Sequence, residues 1–179
     1  MRVVGGTFKG RTLHAPRGRR TRPTQDRVRE ALFSILHDVR GARVLDVFAG
    51  SGALAIEALS RGAESATLVD NSTDSIAAIH RNLKALELDA EVRNQTAHAF
   101  LKHAKSEHRQ YDLVFVDPPY SLGRGPRDRL SAALPPVLAP RARVIVESDR
   151  RAPLGLEGLQ LADERRYGDT LIRIYDGPR

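Results

Sequence analysis

The chain has 179 residues, enough for one domain with a well-buried core and too few for two full catalytic domains. It contains no cysteine, which excludes disulfide frameworks, thiolate chemistry and zinc fingers. The formal net charge is +7, which excludes an acidic, self-solvating chain.

The excess charge is concentrated near the amino terminus. Residues 1–30 hold nine basic side chains, eight of them arginine, against two acids, so the rest of the chain is balanced. Basic arms bind phosphate backbones, and the planar fork of arginine suits bidentate phosphate contacts. A solvated, solubilising tail is the alternative interpretation.

The first 40 residues predict an extension rather than an independent domain. Glycines at turn positions favour a small β-hairpin, and residues 16–23 predict a basic loop punctuated by prolines. Thr24 is the expected N-cap of an amphipathic helix that runs to about Asp38, with Arg29 pointing away from its apolar face. We therefore expect residues 1–40 to be a basic, nucleic-acid-binding extension with a docking helix, and residues 41–179 to be the main domain.

Strands and helices alternate from residue 43 onward. The predicted strands cover residues 44–48, 66–70, 90–93, 113–116 and 143–147. The predicted helices cover residues 53–61, 73–86, 97–104 and 130–138, with a loop at 121–127. Residues 159–166 and 170–175 predict an antiparallel hairpin. This order indicates a doubly wound, mostly parallel α/β sheet with a C-terminal antiparallel hairpin, a fold that hosts many functions.

One predicted strand, residues 113–116, stops at Asp117, Pro118, Pro119 and Tyr120. Prolines have no amide hydrogen to continue the sheet, and ligands in such sheets bind beyond the carboxyl ends of strands. The four residues suit a planar base with an exocyclic amine. The Asp117 carboxylate and the Pro118 carbonyl would accept its hydrogens and aim its lone pair, while Tyr120 stacks on the ring. A strand that merely ends in a turn is the alternative.

Asp46 leads into a glycine-rich turn that contains Gly50 and Gly52. Glycines let the backbone approach a ligand and lead into a helix whose amides favour an anion, as in the loose dinucleotide fingerprint. Asp46 argues against a dinucleotide, because its charge would oppose a pyrophosphate. It could instead hold the ammonium of S-adenosylmethionine, while Asp70 at the end of the next strand accepts from the ribose hydroxyls. A generic turn is the alternative.

Five motifs together resemble one family. They are Arg22 to Thr24, Arg27 to Glu30, Asp46 to Gly52, Glu57 to Ala63 and Asp117 to Tyr120. They are similar to motifs of the RsmD family, bacterial methyltransferases that modify the N2 amine of a guanine in small-subunit (16S) ribosomal RNA. The resemblance implies a Rossmann-like S-adenosylmethionine fold, with guanine at Asp117 to Tyr120 and the basic arm on RNA.

The resemblance also implies site residues. The cofactor contacts would be Asp46, Phe48, Ala49, Gly50, Ser51, Gly52, Asp70, Asn71, Thr96 and Ala97. The RNA contacts would be Arg11, Arg17, Arg19, Arg20, Arg22, Thr24, Arg27 and Arg29. Two departures concern the adenosine: Gln95 to Ala97 stands where the family often has an acid, and Asp70 stands where the family often has glutamate.

Two other functions stay open beside methylation of a guanine N2 amine. Adenine-N6 methylation of DNA uses similar tetrads, but no target-recognition domain is evident. A non-catalytic RNA-binding protein of ribosome assembly would not require the acids. The histidines have no metal-ligand spacing, the amino terminus lacks the apolar core of a signal peptide, and no stretch approaches the roughly 20 apolar residues of a membrane span. We expect a soluble, cytoplasmic monomer without a metal.

Overall fold

The structure is a computed structural model that describes residues 1–17, 23–119 and 124–178. Within these residues one sheet contains seven strands, which are β1 (Arg43–Asp46), β2 (Ser65–Asp70), β3 (Glu91–Asn94), β4 (Tyr111–Val116), β5 (Leu138–Asp149), β6 (Gln160–Tyr167) and β7 (Thr170–Asp176). Their order is β3-β2-β1-β4-β5-β7-β6. Strands β1 to β5 are parallel, and β7 is antiparallel to both of its neighbours. The predicted doubly wound sheet with a C-terminal hairpin is confirmed.

Five helices accompany the sheet in the described part of the chain. They are α1 (Pro23–Leu36), α2 (Ala53–Ser60), α3 (Thr73–Leu86), α4 (Ala97–Ser106) and α5 (Arg124–Ala133). Two predicted boundaries were wrong. Helix α1 begins at Pro23, because proline suits the first turn of a helix, so Thr24 lies inside the helix and is not its N-cap. Helix α5 begins at Arg124 and ends before Pro135, which shortens the predicted loop and moves the helix towards the amino terminus.

Side chains that alternate along the strands form two cores. Val44, Leu68, Phe115 and Ile145 lie on the side of the sheet that packs against α1, α2 and α3, which we call the front face. Leu45, Val69, Val114 and Val144 lie on the back face against α4 and α5. On the front face the rings of Phe33 in α1 and Phe115 in β4 are 5.8 Å apart. Because apolar residues fill both faces, only the ends of the strands are available to a ligand.

The strand order fixes where a ligand can bind. β1 and β4 are neighbours although β2 and β3 separate them in sequence, so the chain leaves β1 towards one side of the sheet and leaves β4 towards the other. This reversal opens a crevice at the carboxyl ends of β1 and β4. The acids predicted from the sequence lie at this edge, which we call the carboxyl edge.

The N-terminal segment pairs with itself and is anchored to the helices. The Val3 amide donates to the Arg11 carbonyl at 2.9 Å, and the bridge between Arg2 and Thr12 is antiparallel, so the predicted hairpin is present only as a short bridge. The Val4 amide donates to Glu57 in α2 at 2.8 Å. A side chain at Gly6 would place its Cβ 1.8 Å from the Ser60 carbonyl oxygen, so this close approach requires glycine. The domain boundary near residue 40 stays a prediction.

Candidate active site

Four neighbouring parallel strands each lead into an acid at the carboxyl edge. β2 ends at Asp70, β1 ends at Asp46, Asp117 directly follows β4, and Glu147 lies near the end of β5. Each acid is two residues beyond a front-face position, so all four side chains are directed to the front face. The structure therefore brings together the three acids predicted from the sequence. The structure adds Glu147, which no sequence motif indicated although it too ends an apolar run.

The strand register places Asp46 deeper than the other three acids. Asp46 is level with Leu68 and Phe115, so Asp70 and Asp117 lie two residues further out, roughly 6 to 7 Å along the strands. Val146 is level with Val116, which puts Glu147 beside Asp117. Asp46 therefore lies at the innermost level of the carboxyl edge, a position that we call the pit.

Asp46 is buried without a compensating partner. Its side chain is 1% exposed, and neither carboxylate oxygen has a hydrogen-bond partner among the described residues. Burial raises the pKa of Asp46 to about 7, and the negative charges of Asp117 and Asp70 add to the rise. The nearby amides of Ala55 and Phe48 favour the charged form but do not offset burial. A buried, unpaired carboxyl costs stability, so this position suits a cationic group of a ligand.

Asp70 holds the glycine turn in place. Its carboxylate oxygens accept the amide hydrogen of Gly50 at 2.8 Å and that of Ser72 at 2.9 Å. Gly52 has φ of 79°, and a Cβ there would lie 2.8 Å from Leu68, so both conformation and packing require glycine. Because each carboxylate oxygen has two lone pairs, Asp70 can still accept hydrogen bonds from a ligand.

The remaining predicted cofactor residues line the same edge. The Ala49 amide donates to the Val69 carbonyl at 3.1 Å, the Ser51 carbonyl accepts from Asn82 at 2.9 Å, and Phe48 is half-buried. Asn71 is exposed after β2. Beyond β3, Thr96 caps α4 by accepting the Ala99 amide at 3.2 Å, and Ala97 is buried. These residues follow β1, β2 and β3 in turn, so they form one continuous rim from the pit to β3.

The predicted base-binding residues follow β4. Asp117 and Pro119 are exposed and Pro118 is buried, whereas Tyr120 lies outside the described residues. The charge of Asp117 reaches both Asp46 and Glu147, whose pKa values it raises. Asp117 is therefore electrostatically coupled both to Asp46 on β1 and to Glu147 on β5. The described residues contain no group of three side chains arranged to hold a metal ion.

Glu147 stands beside Asp117 and near a buried arginine. Burial raises the pKa of Glu147 above its usual range, the charge of Asp117 raises it further, and the Arg29 guanidinium opposes the rise. Arg29 is 4% exposed and pairs with Asp26 at 2.9 Å. It also lies 3.6 Å from Glu57 and donates to the Arg2 carbonyl.

The expectation that Arg29 contacts RNA is therefore wrong. Glu57 is fully buried in α2, and a buried charge requires a counter-ion, so Arg29 turns inward. The covered side of α1 is wider than its apolar pattern predicts, because the N-terminal segment packs there as well. Arg29 joins α1, α2 and the N-terminal segment in one ionic network.

The other predicted RNA contacts lie in several environments. Arg17 and Arg27 are exposed, and Arg11 is exposed with its Nη2 donating to the Ala85 carbonyl at 2.7 Å. Arg19, Arg20 and Arg22 lie outside the described residues, as does the side chain of Thr24. Arg17 and Arg27 are thus the described cations best placed to meet a large anionic partner.

The residues that flank the basic loop lie near the carboxyl edge. His14 exchanges hydrogen bonds with Asn82, which also donates to Ser51 in the glycine turn. Helix α1 runs in the opposite direction to β5. The Leu36 carbonyl, at the end of α1, accepts from Arg143 at 2.6 Å, near the start of the part of β5 that pairs with β4. The charge of Arg29, in the first half of α1, lowers the pKa of Glu147 near the end of β5. The first turn of α1 therefore lies towards the same edge as the four acids.

Comparison with known proteins identifies the family. The family model described as "Conserved hypothetical protein 95" matches residues 1–176. The chain belongs to this family. It is 37% identical to YlbH of Bacillus subtilis, a candidate rRNA methyltransferase, over 98% of each protein. It is 33% identical to ribosomal RNA small subunit methyltransferase D of Haemophilus influenzae, over 98% of this chain and 93% of that protein.

A solved structure supports the same relationship. The structure of yhhF from Escherichia coli, a candidate methyltransferase, matches with a TM-score of 0.84 and 36% identity, covering 99% of this chain and 98% of the other. The resemblance to the RsmD family and the Rossmann-like methyltransferase fold are both confirmed. The matched family region begins at residue 1, so it includes the N-terminal segment.

Proposed function

We propose that this protein transfers a methyl group from S-adenosylmethionine to the exocyclic N2 amine of a guanine in 16S ribosomal RNA. Its substrate would be the free RNA or the small ribosomal subunit, and it would act as a cytoplasmic monomer. The observation that carries the proposal is the row of acids at the carboxyl edge, where the unpaired Asp46 lies next to the strand that leads into Asp117 and Pro118.

The residues around the pit fit S-adenosylmethionine. The cofactor carries an ammonium that would supply the cation Asp46 lacks, and a ribose whose hydroxyls can donate to Asp70. Gly50 and Gly52 in the turn between them carry no side chain, which would let the backbone there approach the cofactor closely. Phe48, Asn71, Thr96 and Ala97 would complete the rim around the adenosine. When bound, the cofactor supplies a methyl group on a positively charged sulfur, which is a strong electrophile.

The base-binding residues would activate the amine by position. The lone pair of an exocyclic amine is delocalised into the ring, so the amine is a weak nucleophile. The Asp117 carboxylate and the Pro118 carbonyl would accept its two hydrogens and aim the lone pair at the methyl carbon, with Tyr120 stacked on the base. The nitrogen–carbon bond forms as the sulfur–carbon bond breaks, and the amine proton passes to Asp117 or water. Since no covalent enzyme intermediate forms, orientation supplies most of the rate enhancement.

Charge near this edge supports an RNA substrate. Arg17 and Arg27 are exposed, and the segment between them joins two anchored regions close to the four acids. An RNA backbone that crosses this region would meet cations while one base enters the crevice. The relatives named as ribosomal RNA methyltransferases support the same substrate class.

A labelling experiment tests the proposal. The protein is incubated with S-adenosylmethionine that carries a tritiated methyl group, in parallel with 16S rRNA, 30S subunits and genomic DNA, and the product is digested to nucleosides. We expect label in 16S rRNA or 30S subunits, recovered as N2-methylguanosine. Label in DNA as N6-methyl-2′-deoxyadenosine would support the DNA enzyme instead, and no label in any arm would support a non-catalytic RNA-binding protein.

A further inference from the structure

Glu147 is the one acid of the row that the proposed reaction does not use. Val146 of β5 is level with Val116 of β4, so Glu147 lies directly beside Asp117 on the neighbouring strand. Adjacent strands are about 4.8 Å apart, and both side chains are directed to the front face. A base held by Asp117 would therefore have Glu147 within reach of the adjoining part of its hydrogen-bonding edge.

The surroundings of Glu147 do not explain it as a structural residue. Its nearest charged neighbours are Asp117, which repels it, and Arg29, which is already engaged by Asp26, Glu57 and the Arg2 carbonyl. The influences on the pKa of its carboxyl are burial, Asp117 and Arg29, with no hydrogen bond from a described residue among them. An acid placed half-buried beside a second acid is costly for the free protein, because like charges disfavour each other. Such a carboxyl is suited to a ligand that brings its own donor.

The hydrogen-bonding edge of guanine offers that donor. Next to the N2 amine lies N1–H, a donor, followed by O6, an acceptor. In adenine the position next to the N6 amine is N1, an acceptor, followed by an apolar C–H. An oxygen of ionised Glu147 would accept from guanine N1–H but repel adenine N1. Neutral Glu147 would accept a hydrogen bond from guanine N1–H and donate one to guanine O6. With adenine, neutral Glu147 could only donate its O–H to N1, and its carbonyl oxygen would have no donor.

We propose that Glu147 is a specificity-determining residue that selects guanine by accepting a hydrogen bond from N1–H while Asp117 and Pro118 hold the N2 amine. This inference rests on the proposed guanine-N2 function. Asp117 would hold the exocyclic amine, a group that adenine also carries. Glu147 would hydrogen-bond to the adjoining ring nitrogen, N1, which carries a hydrogen in guanine but not in adenine. Discrimination would thus come from the neighbouring strand and not from the Asp117 tetrad.

The test compares two bases in one RNA. A fragment that contains the target guanine, located by mapping the label to an oligonucleotide of the RNA, is compared with the same fragment carrying 2-aminopurine, which keeps the amine but lacks N1–H and O6. We expect the wild-type protein to methylate guanine with a kcat/KM roughly 10- to 100-fold higher, the effect of one or two lost hydrogen bonds. Glu147→Leu should bring this ratio close to one by losing activity on guanine. Glu147→Gln should restore the preference, because its amide accepts from N1–H and donates to O6.

Controls separate this role from a structural one and from the reaction itself. Glu64→Leu, an exposed acid before β2, should keep the wild-type ratio. Glu147→Leu should retain the wild-type affinity for S-adenosylhomocysteine, and its melting temperature should be at least as high as that of the wild type, because the variant removes a buried, unfavourable charge. If Glu147→Leu methylates guanine with the wild-type preference, or if it loses cofactor affinity or stability in proportion to activity, the inference is overturned. Absence of N2-methylguanosine from both 16S rRNA and 30S subunits after incubation with the wild-type protein would instead reject the proposed function.

Discussion

The two halves of the carboxyl edge are built differently. In the cofactor half, Asp46 and Asp70 follow β1 and β2, and the glycine turn is fixed above them by backbone hydrogen bonds to Asp70 and Val69. In the base half, Asp117 is exposed and Glu147 is half-buried, and both lie at the outer level of the edge. A small cofactor can be held in a rigid pit. A base that must enter from a large RNA needs acids that remain accessible from solvent.

The largest expected effect separates the two halves at Asp117. Asp117→Ala should lower single-turnover methyl transfer by at least about 100-fold, because the amine loses the acceptor that orients it. Affinity for S-adenosylhomocysteine, measured by calorimetry, should stay within a few fold of wild type. Asp176→Ala, which removes an exposed acid at the opposite edge, is the matched control. Turnover near that of the wild-type protein would remove Asp117 from the mechanism.

The second effect concerns the stability of the cofactor half. The folded pKa of Asp46 is about 7, above the ordinary value of 3.8, so the folded state binds the extra proton. The contribution of Asp46 to the free energy of unfolding is therefore fully present below pH 4 and is lost as pH rises through 7. Without cofactor, Asp46→Asn should therefore be more stable than wild type at pH 8, by roughly 2 to 4 kcal/mol, and equal to it near pH 4.

Urea unfolding of both proteins at several pH values measures this difference. The wild-type protein must be compared with Asp46→Asn because burial also raises the pKa of Glu147. Glu147 therefore makes stability fall with rising pH in both proteins. A wild-type protein as stable as Asp46→Asn at pH 8 would show that burial of the ionised Asp46 carboxyl does not destabilise the fold.

A smaller effect is expected at Asp70. Asp70→Ala should weaken S-adenosylhomocysteine binding by about 1 to 3 kcal/mol, the contribution of a hydrogen bond to a charged group. Part of this loss would come from the turn, because Asp70 also holds the Gly50 and Ser72 amides. Asp70→Asn keeps one acceptor oxygen and should lose less. Unchanged calorimetric affinity in both variants would place the ribose elsewhere.

The smallest effects are expected from the arm. Arg17→Ala and Arg27→Ala should each reduce the logarithmic salt slope of RNA binding by about 0.7 to 0.9, the value for one lost phosphate contact. Arg141→Ala is the matched control, since Arg141 is exposed at the opposite edge. Equal slopes in all three variants would contradict an RNA path over the arm. Point variants are preferable to deletion, because Val3 and Leu13 belong to the front-face core.

Local sequence patterns predicted one half of this edge better than the other. The acids after β1, β2 and β4 were found because each ends a short apolar run, and strand alternation then fixes their face. Glu147 ends a similar run, but its importance depends on β5 lying beside β4, and strand order is a long-range property. Arg29 was assigned to solvent for the same reason. Its partner Glu57 belongs to another helix, so no pattern within α1 reveals the buried pair.

The central claim is that the carboxyl edge has a cofactor half around Asp46 and a base half around Asp117. Its most direct test is the pH dependence of S-adenosylhomocysteine affinity in wild type, Asp46→Asn and Asp117→Ala. If ionised Asp46 holds the ligand's ammonium, wild-type affinity should rise with pH through 7 and reach a plateau above it, and Asp46→Asn should bind weakly without this rise. Asp117→Ala should reach the wild-type plateau at a lower pH, because the charge of Asp117 raises the pKa of Asp46. The account is contradicted if Asp117→Ala loses as much affinity as Asp46→Asn, or if wild-type affinity does not change between pH 5 and 7.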